Sequence, residues 1–247
     1  MQNIIDELIA GLGRFRAGYF AGRKAEYAGL IEKGQNPHVL MIACSDSRYS
    51  PVRITDAAPG AIFALENIGA FVPPYETYSR TVGFDAALEY AVDHLKISDI
   101  IVCGHSDCGA VKTLMNLGEL PHDSGIREWL RYAESVPSLA RERIEREGCN
   151  ASDEKLLREF AELEFIKLSL TNLATYDRVA MRIENGTLKL HGWHFDIANA
   201  LLRILDPESG EFETIEPPAP LSEQTETIEP KASEPEQIET DEPSTDE

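Results

Sequence analysis

Short apolar segments and longer amphipathic segments alternate along this chain. Continuous apolar runs at residues 39–43, 61–66 and 97–103 are bounded by turn-forming residues, and such runs predict buried β-strands. Residues 187–195 alternate between apolar and polar positions, which predicts a strand with one side facing solvent. The same pattern predicts residues 200–205 as the hairpin partner of that strand.

The segments between these strands carry apolar residues at helical spacing. Residues 3–33 predict one or two amphipathic helices, interrupted near Gly18 and Gly22, and residues 81–95 predict a helix that packs along one face. Further helices are predicted at residues 109–115, 126–148 and 152–183. This alternation predicts an α/β fold, a mainly parallel β-sheet with an antiparallel edge strand and helices on both faces, preceded by an N-terminal helical arm at residues 1–33.

The composition changes near residue 212. Residues 213–247 hold twelve carboxylates against one lysine, a formal charge of −11 within the total of −20, and contain no aromatic residue. We therefore predict a folded domain at residues 1–212 and a disordered acidic tail rich in Pro and Glu at 213–247. The tail repeats residues 214–217 as 227–230, which is consistent with multivalent binding of a protein partner or with a plain solvating tail.

The bulk composition excludes several functional classes. The predicted domain has no cluster of Lys and Arg of the kind that binds nucleic acid or anionic membranes. No apolar run approaches the ~20 residues of a membrane span, and no signal-peptide pattern is present, so we expect a soluble, cytoplasmic protein. Four cysteines without secretory features favour metal or redox chemistry over a disulfide framework.

Two polar motifs directly follow two of the predicted strands. Residues 44–48 read Cys-Ser-Asp-Ser-Arg, and residues 105–108 read His-Ser-Asp-Cys. A single cysteine or histidine is more often a core or surface residue than a ligand, and we place Cys103 in the core. Two thiols and one imidazole at the ends of parallel strands nevertheless predict a metal site, with zinc as the ion that suits this donor set.

The residues around Cys108 and Cys44 add to this prediction. Cys108 precedes the predicted helix at residues 109–115, with Ser106 or Asp107 as its N-cap, and a helix N-terminus favours a thiolate. Asp46 and Arg48 are expected to pair, because residues two apart on an extended segment face the same way. Arg48 would keep the carboxylate ionised and oriented, whereas a broken pair would free Asp46 to bind the metal itself.

The two motifs, C-x-D-x-R and then H-x-x-C, resemble those of the β-class carbonic anhydrases, and the resemblance runs from about residue 5 to about residue 212. It implies zinc held by Cys44, His105 and Cys108, with Asp46 and Arg48 as catalytic residues. The implied reaction is the reversible hydration of CO2 to bicarbonate and a proton by metal-bound hydroxide. Activity is then expected to rise above neutral pH as the water ionises.

Further positions match the plant-like branch of this family. Gln35, Phe63 and Tyr90 stand where that branch has its substrate pocket, so the resemblance implies an amide donor and two apolar rings around CO2. The family also implies a homodimer or a multiple of dimers, with the N-terminal helices contacting the neighbour. The long C-terminal extension resembles cyanobacterial carboxysomal members, which makes the carboxysome an alternative compartment.

The sequence departs from the family after the second predicted strand. Glu66 stands where the family has an arginine, and Ala70 stands where it has an asparagine. These changes leave open a weakened enzyme that serves as a zinc-stabilised adaptor whose tail recruits partners. A COS or CS2 hydrolase using the same site is a second alternative, because the ligand residues do not distinguish these linear molecules from CO2. A redox role is disfavoured, because the thiols are not in a C-x-x-C arrangement.

Overall fold

The computed structural model of the chain describes residues 3–75 and 82–216, so the predicted tail from residue 217 onward lies outside the described residues. The described residues contain one six-stranded sheet. Its strands are β1 (Val39–Cys44), β2 (Ile62–Asn67), β3 (Asp99–His105), β4 (Lys189–Asp196), β5 (Leu201–Leu205) and β6 (Phe212–Ile215).

The strands are ordered β2-β1-β3-β4-β5-β6. The first four run parallel, and β5 and β6 are antiparallel to their neighbours, which confirms the predicted α/β fold. The antiparallel edge has two strands, β5 and β6, and β6 was not predicted. Its Phe212 and Ile215 pair with Leu205 and Leu202 of β5, but the neighbouring glutamates give the segment the composition of the tail.

The predicted division into a folded domain at residues 1–212 and a tail at 213–247 stays a prediction. Residue 212 is the first residue of β6, and the compact part of the chain extends to Glu216. Composition alone does not distinguish a short edge strand from a solvated tail, because edge strands commonly carry charged side chains.

The direction of the chain across the sheet reverses at β1. From β1 the chain moves to β2 on one side, and later from β3 to β4 on the other, so the carboxyl ends of β1 and β3 are adjacent. Crossovers between parallel strands are right-handed, which puts the β1–β2 connection on the face opposite the other two crossovers. Open α/β sheets bind their ligands at such a reversal point.

Helices fill most of the connections. The α-helices of the described chain are α1 (Ile4–Phe15), α2 (Lys24–Lys33), α3 (Pro51–Thr55), α4 (Val82–Glu89), α5 (Gly109–Met115), α6 (Gly125–Leu130), α7 (Val136–Arg146), α8 (Glu154–Leu173) and α9 (Asp177–Glu184). Single turns of π- or 3₁₀-helix lie at Arg16–Phe20, Ala21–Arg23, Ile68–Ala70, Tyr90–His94, Leu117–Glu119 and Arg131–Ala133. The interruptions predicted at Gly18 and Gly22 are such turns between α1 and α2.

Helix α8 packs closely on β3 and β4. A Cβ atom on Gly104 would lie 2.8 Å from Cδ1 of Ile166, and one on Gly192 would lie 3.0 Å from Cδ1 of Leu170. Glycine at these two positions permits this close packing, because a side chain there would force the Ile166 and Leu170 side chains to shift. The close approach brings the N-terminal half of α8 to the carboxyl ends of β3 and β4.

Helix α1 has the opposite character. It carries a strong apolar stripe, yet none of its residues is buried, and Leu8 and Ile9 are 65% and 63% exposed. No helix among residues 3–75 and 82–216 is both long and apolar enough to cross a membrane.

Candidate metal centre

Three side chains converge where β1 and β3 end. Cys44 is the last residue of β1, His105 is the last residue of β3, and Cys108 is the N-cap of α5. Their candidate ligand atoms all lie within 4.8 Å of one another. All three residues are buried, with exposures of 7%, 1% and 3% in that order. The arrangement can hold one metal ion between two sulfurs and one nitrogen.

The backbone around Cys44 is fixed by Gly69 and Tyr49. The Gly69 amide donates a hydrogen bond to Sγ of Cys44 at 3.3 Å, from a left-handed conformation with φ of 83°. A Cβ atom at Gly69 would lie 2.7 Å from the ring of Phe165, so the position accepts only glycine. The buried Tyr49 hydroxyl accepts from the Cys44 amide and donates to the carbonyl oxygen of Cys103.

The ring of His105 is oriented for a ligand at one nitrogen. Its Nδ1 lies 2.9 Å from the carbonyl oxygen of Ser106, so Nδ1 carries the proton and donates it there. Its Nε2 is buried and has no hydrogen-bond partner among the described residues. A buried polar atom without a partner is costly, and a metal ion would satisfy it. The neutral Nδ1–H tautomer is also the usual form of a histidine ligand.

The two thiols interact directly. A hydrogen bond with Cys108 lowers the pKa of Cys44, and the same interaction, together with burial, raises the pKa of Cys108. The interaction therefore favours the thiolate at Cys44 and the thiol at Cys108. Burial lowers the pKa of His105, but the nearby Cys44 sulfur, the Ser106 carbonyl and the Asp46 carboxylate outweigh burial and raise it overall. A divalent transition metal fits this set, because two sulfurs and one imidazole nitrogen lie within reach of one ion and such ligands bind it after losing their protons.

Asp46 and Arg48 form a bidentate pair beside the three ligands. Nε of Arg48 lies 2.9 Å from Oδ1 of Asp46, and Nη2 of Arg48 lies 2.8 Å from Oδ2. The hydrogen bonds from Arg48 hold the pKa of Asp46 well below its usual range despite the opposing effect of burial. Oδ2 of Asp46 lies 3.8 Å from Nε2 of His105, so the ionised carboxylate faces the ligand cluster.

The pair forms for a reason that differs from the prediction. Residues 47 and 48 form a turn instead of an extended segment, and the Arg48 amide donates to Oδ1 of Asp46 at 3.0 Å. Arg48 also donates to the Asp107 carboxylate and to its carbonyl oxygen, both at 3.0 Å. Asp107 has a left-handed φ of 60°, which prevents it from serving as the helix cap. The N-cap of α5 is Cys108, not Ser106 or Asp107.

The predicted pocket residues are only partly brought together. The rings of Phe63 and Tyr90 have centroids 5.8 Å apart, and Phe63 is in register with Leu40 of β1. Gln35 is exposed in the loop between α2 and β1. Within the described part of the chain, no hydrogen bond or ring contact joins these three residues to Cys44, His105 or Cys108.

The two departures after β2 have different consequences. Glu66 is exposed, and its side chain is outside the ligand cluster. Ala70 is buried and adopts a left-handed φ of 56°, a conformation that asparagine tolerates better than alanine. The Asn67 side chain closes this turn through hydrogen bonds with both the amide and the carbonyl of Phe71.

Two residues behind the cluster were not found from the sequence. Oε1 of Glu162 accepts a hydrogen bond from the Cys108 amide at 3.1 Å, and Oε2 of the same carboxylate lies 3.1 Å from Nε2 of His194. Glu162 could have been found from the sequence, because it is a charged residue on the same helical stripe as the apolar Ile166 and Leu170. His194 had no comparable signal, since either face of its strand can be polar.

Comparisons with known proteins agree on one family. A sequence model described as carbonic anhydrase matches residues 39–202. A carbonic anhydrase of Synechocystis sp. is 39% identical over 194 residues, or 78% of this chain and 68% of the relative. A carbonic anhydrase of Pseudomonas aeruginosa is 36% identical over 217 residues, or 87% of this chain and 92% of the relative.

Solved structures show the same similarity. The β-carbonic anhydrase CcaA superposes with a TM-score of 0.78 at 36% identity, covering 86% of this chain and 100% of that one. A tetrameric β-carbonic anhydrase of the ascomycete Sordaria macrospora gives a TM-score of 0.69 at 27% identity, covering 82% and 98%.

Proposed function

Because this chain belongs to the β-class carbonic anhydrases and is a carbonic anhydrase enzyme, we propose that it catalyses the reversible hydration of CO2 to bicarbonate and a proton. We further propose that zinc is the metal, bound by Cys44, His105 and Cys108. The observation that supports this most directly is the convergence of the three ligand atoms within 4.8 Å. Two thiolates and one imidazole are typical zinc ligands.

Zinc, Asp46 and Arg48 would each have a separate role in the hydration of CO2. Bound zinc would supply Lewis-acid activation of a water molecule, lowering its pKa toward ~7. Asp46 would provide a carboxylate oxygen that accepts a hydrogen bond from a water molecule beside the three ligands and orients it. Arg48 keeps the carboxylate ionised and anchors it in place, because each carboxylate oxygen accepts one hydrogen bond from the guanidinium and retains a second lone pair.

Phe63 and Tyr90 are proposed to form the apolar side of the CO2 pocket. Their rings already contact each other on the face of the sheet that carries Leu40 and Cys44. Gln35 is proposed to donate a hydrogen bond to a substrate oxygen in a pocket that a second copy completes, since within one chain it lies away from the ligands.

Self-association is the proposed role of helix α1. Ile4, Ile5, Leu8, Ile9 and Leu12 are each more than half exposed and lie on one stripe. A contiguous apolar stripe of this kind is typical of a protein–protein interface. We propose a homodimer or a multiple of dimers, in keeping with the tetrameric relative from Sordaria macrospora.

The alternatives receive less support. The relatives above are all carbonic anhydrases, which favours CO2 over COS or CS2 as the substrate. The intact Asp46–Arg48 pair and the buried ligand cluster favour an active enzyme over an adaptor. A partner for the tail, which lies outside the described residues, stays a prediction.

The proposed function is tested by metal analysis combined with a CO2 hydration assay on the full chain. We expect about one zinc per chain and rapid CO2 hydration that a strong chelator abolishes. The control is Cys149→Ala, which removes a thiol from outside the cluster and should retain both metal and activity. Folded, reduced protein that holds zinc and does not hydrate CO2, COS or CS2 would support the adaptor alternative.

A further inference from the structure

Glu162 is placed by the close packing of α8 on the sheet. Glu162, Ile166 and Leu170 follow one another at four-residue intervals and therefore lie on one face of the helix. Ile166 and Leu170 fit against Gly104 and Gly192. One turn closer to the helix N-terminus, the same face reaches the end of β3, where the His105–Cys108 segment begins. Glu162 occupies this position.

The His194 side chain lies beside the Glu162 carboxylate and belongs to the neighbouring strand β4. His194 is in register with Gly104, one residue before His105, and its side chain is on the same face of β4 as Gly192. Helix α8 covers that face. The carboxylate of Glu162 is thus enclosed between α8, the end of β3 and the end of β4, and Glu162 and His194 are 5% and 1% exposed.

Both oxygens of Glu162 are used. Oε1 accepts from the Cys108 amide, and Oε2 accepts from Nε2 of His194, each at 3.1 Å. A buried carboxylate is costly unless such donors satisfy it. Nδ1 of His194 is buried and has no hydrogen-bond partner among the described residues, so the bond to Glu162 is the one polar contact that fixes this ring.

We propose that Glu162 and His194 are positioning residues for the metal centre. His194 holds the Glu162 carboxylate, and the carboxylate holds the Cys108 amide at the start of α5, so that the Cys108 sulfur points at Cys44 and His105. The inference rests on the proposed metal site. Glu162 supports the candidate ligand Cys108 through its backbone amide. The Cys108 side chain itself makes no capping hydrogen bond at the start of α5.

A second histidine–carboxylate pair on the same strands provides a matched control. Nε2 of His191 lies 2.8 Å from Oδ1 of Asp99, and this pair also joins β4 to β3. It is at the opposite end of the strands from the ligands. This pair is more exposed than Glu162 and His194, with side-chain exposures of 36% and 31%, so it tests whether any histidine–carboxylate bond between β4 and β3 affects the metal site. A positioning role confines the effect on metal binding to Glu162 and His194.

The experiment measures metal affinity in the full chain by competition with a chromophoric chelator, using zinc and then cobalt(II). We expect Glu162→Leu and His194→Leu to weaken zinc binding ~10- to 100-fold, and to weaken the cobalt–thiolate absorption band. Glu162→Gln and His194→Gln each keep one hydrogen-bonding group and should remain within about threefold of wild type. His191→Leu should leave both measurements unchanged.

Amide exchange tests the inference without any substitution. In metal-free wild-type protein, the Cys108 amide should exchange much more slowly than the amide of the preceding Asp107, because Glu162 accepts it in a buried position. This measurement decides the matter if circular dichroism shows that the leucine variants do not fold. Equal exchange of the two amides would overturn the inference.

The outcomes separate this inference from the proposed function. Folded Glu162→Leu and His194→Leu proteins that bind zinc as tightly as wild type would overturn the positioning role and leave the enzyme assignment intact. The same loss of affinity in His191→Leu would also overturn it. Wild-type protein that binds zinc but does not hydrate CO2 would overturn the proposed reaction alone.

Discussion

Helices α1 and α8 are both amphipathic, but only α8 has its partner surface within the chain. Nine residues of α8 are buried, and the helix contacts β3, β4 and the loop that carries Gly69. Helix α1 has the stronger apolar stripe and buries nothing. Periodicity thus predicts that a helix has an apolar face, but it does not predict what covers that face.

The difference assigns separate tasks to the two helices. Helix α8 supports the ligand cluster through Glu162 and Phe165, so changes beneath it should alter metal binding and stability. Changes on α1 should alter assembly and leave the ligands of each chain in place. The comparison fails if either helix produces the effect expected of the other.

The largest effect is expected from removing a ligand next to α8. Cys108→Ser should abolish zinc binding and lower kcat/KM by more than ~10³-fold, well beyond the ~10- to 100-fold cost of changes outside the ligand set. Metal content and stopped-flow CO2 hydration measure this. Sedimentation should show the assembly of wild type. Retention of zinc and turnover would mean that Cys108 is not a ligand.

The next effect is expected on assembly. Leu8→Glu combined with Ile9→Glu removes two apolar side chains, each worth ~1.5–3 kcal/mol when buried, and should weaken self-association on the order of 10²-fold or more. Analytical ultracentrifugation measures the shift toward monomer. Glu7→Gln, one residue away on the charged side, is the control. A double variant that assembles normally would remove α1 from the interface.

A smaller effect is expected at the carboxylate beside the ligands. Asp46→Asn should lower kcat/KM by ~10- to 100-fold, because one charge-assisted hydrogen bond is lost. Its depressed pKa means that Asp46 loses its charge, and the stabilisation from Arg48, only as pH falls below the usual carboxyl range. Asp46 does not titrate near neutrality, so the rise of kcat/KM above pH 7 should persist in Asp46→Asn.

That pH profile also separates two explanations of the rise. Loss of the rise in Asp46→Asn would attribute it to the carboxylate and contradict an ionising water. Asp107→Asn is a useful companion variant, because it removes the negative charge that Asp107 places next to Arg48 and leaves the Asp46–Arg48 contacts in place.

The smallest effect is expected on stability. Gly104→Ala would place a Cβ atom 2.8 Å from the buried Ile166 and should cost about 1–3 kcal/mol of unfolding free energy, with α8 displaced from β3. Urea unfolding of metal-free protein measures it. Gly83→Ala, in α4 with open space around it, should be neutral or slightly stabilising. Equal stability of the two variants would mean that α8 adjusts freely.

The sequence predicted the features that depend on short-range pattern. Strand ends and motif spacing placed Cys44, His105 and Cys108 at one edge of the sheet, and order alone predicted the parallel core. It missed β6, because Glu213 within this four-residue edge strand, and Glu211 and Glu216 beside it, give the segment the composition of the tail. It also misplaced the α5 cap, because the left-handed conformation of Asp107 comes from the contacts of its own carboxylate and carbonyl with Arg48.

The supports behind the site depend on contacts between distant segments. Glu162 and Cys108 are separated by several helices in sequence and meet only because two glycines admit α8 to the sheet. A local sequence pattern does not predict which carboxylate will be buried in contact with which backbone amide. The left-handed Gly69 is similar, since its need for glycine comes from the ring of Phe165.

The placement of the candidate ligands on separate strands would link metal binding to the equilibrium between folded and unfolded chains. An unfolded chain cannot present Cys44 and His105 together, because only the pairing of β1 with β3 makes their ends neighbours. Any ion that binds the native form therefore shifts that equilibrium by mass action, about 2.7 kcal/mol at a hundredfold excess over Kd. The melting temperature should then follow the free metal concentration, and a cell depleted of the ion would hold less of the native protein.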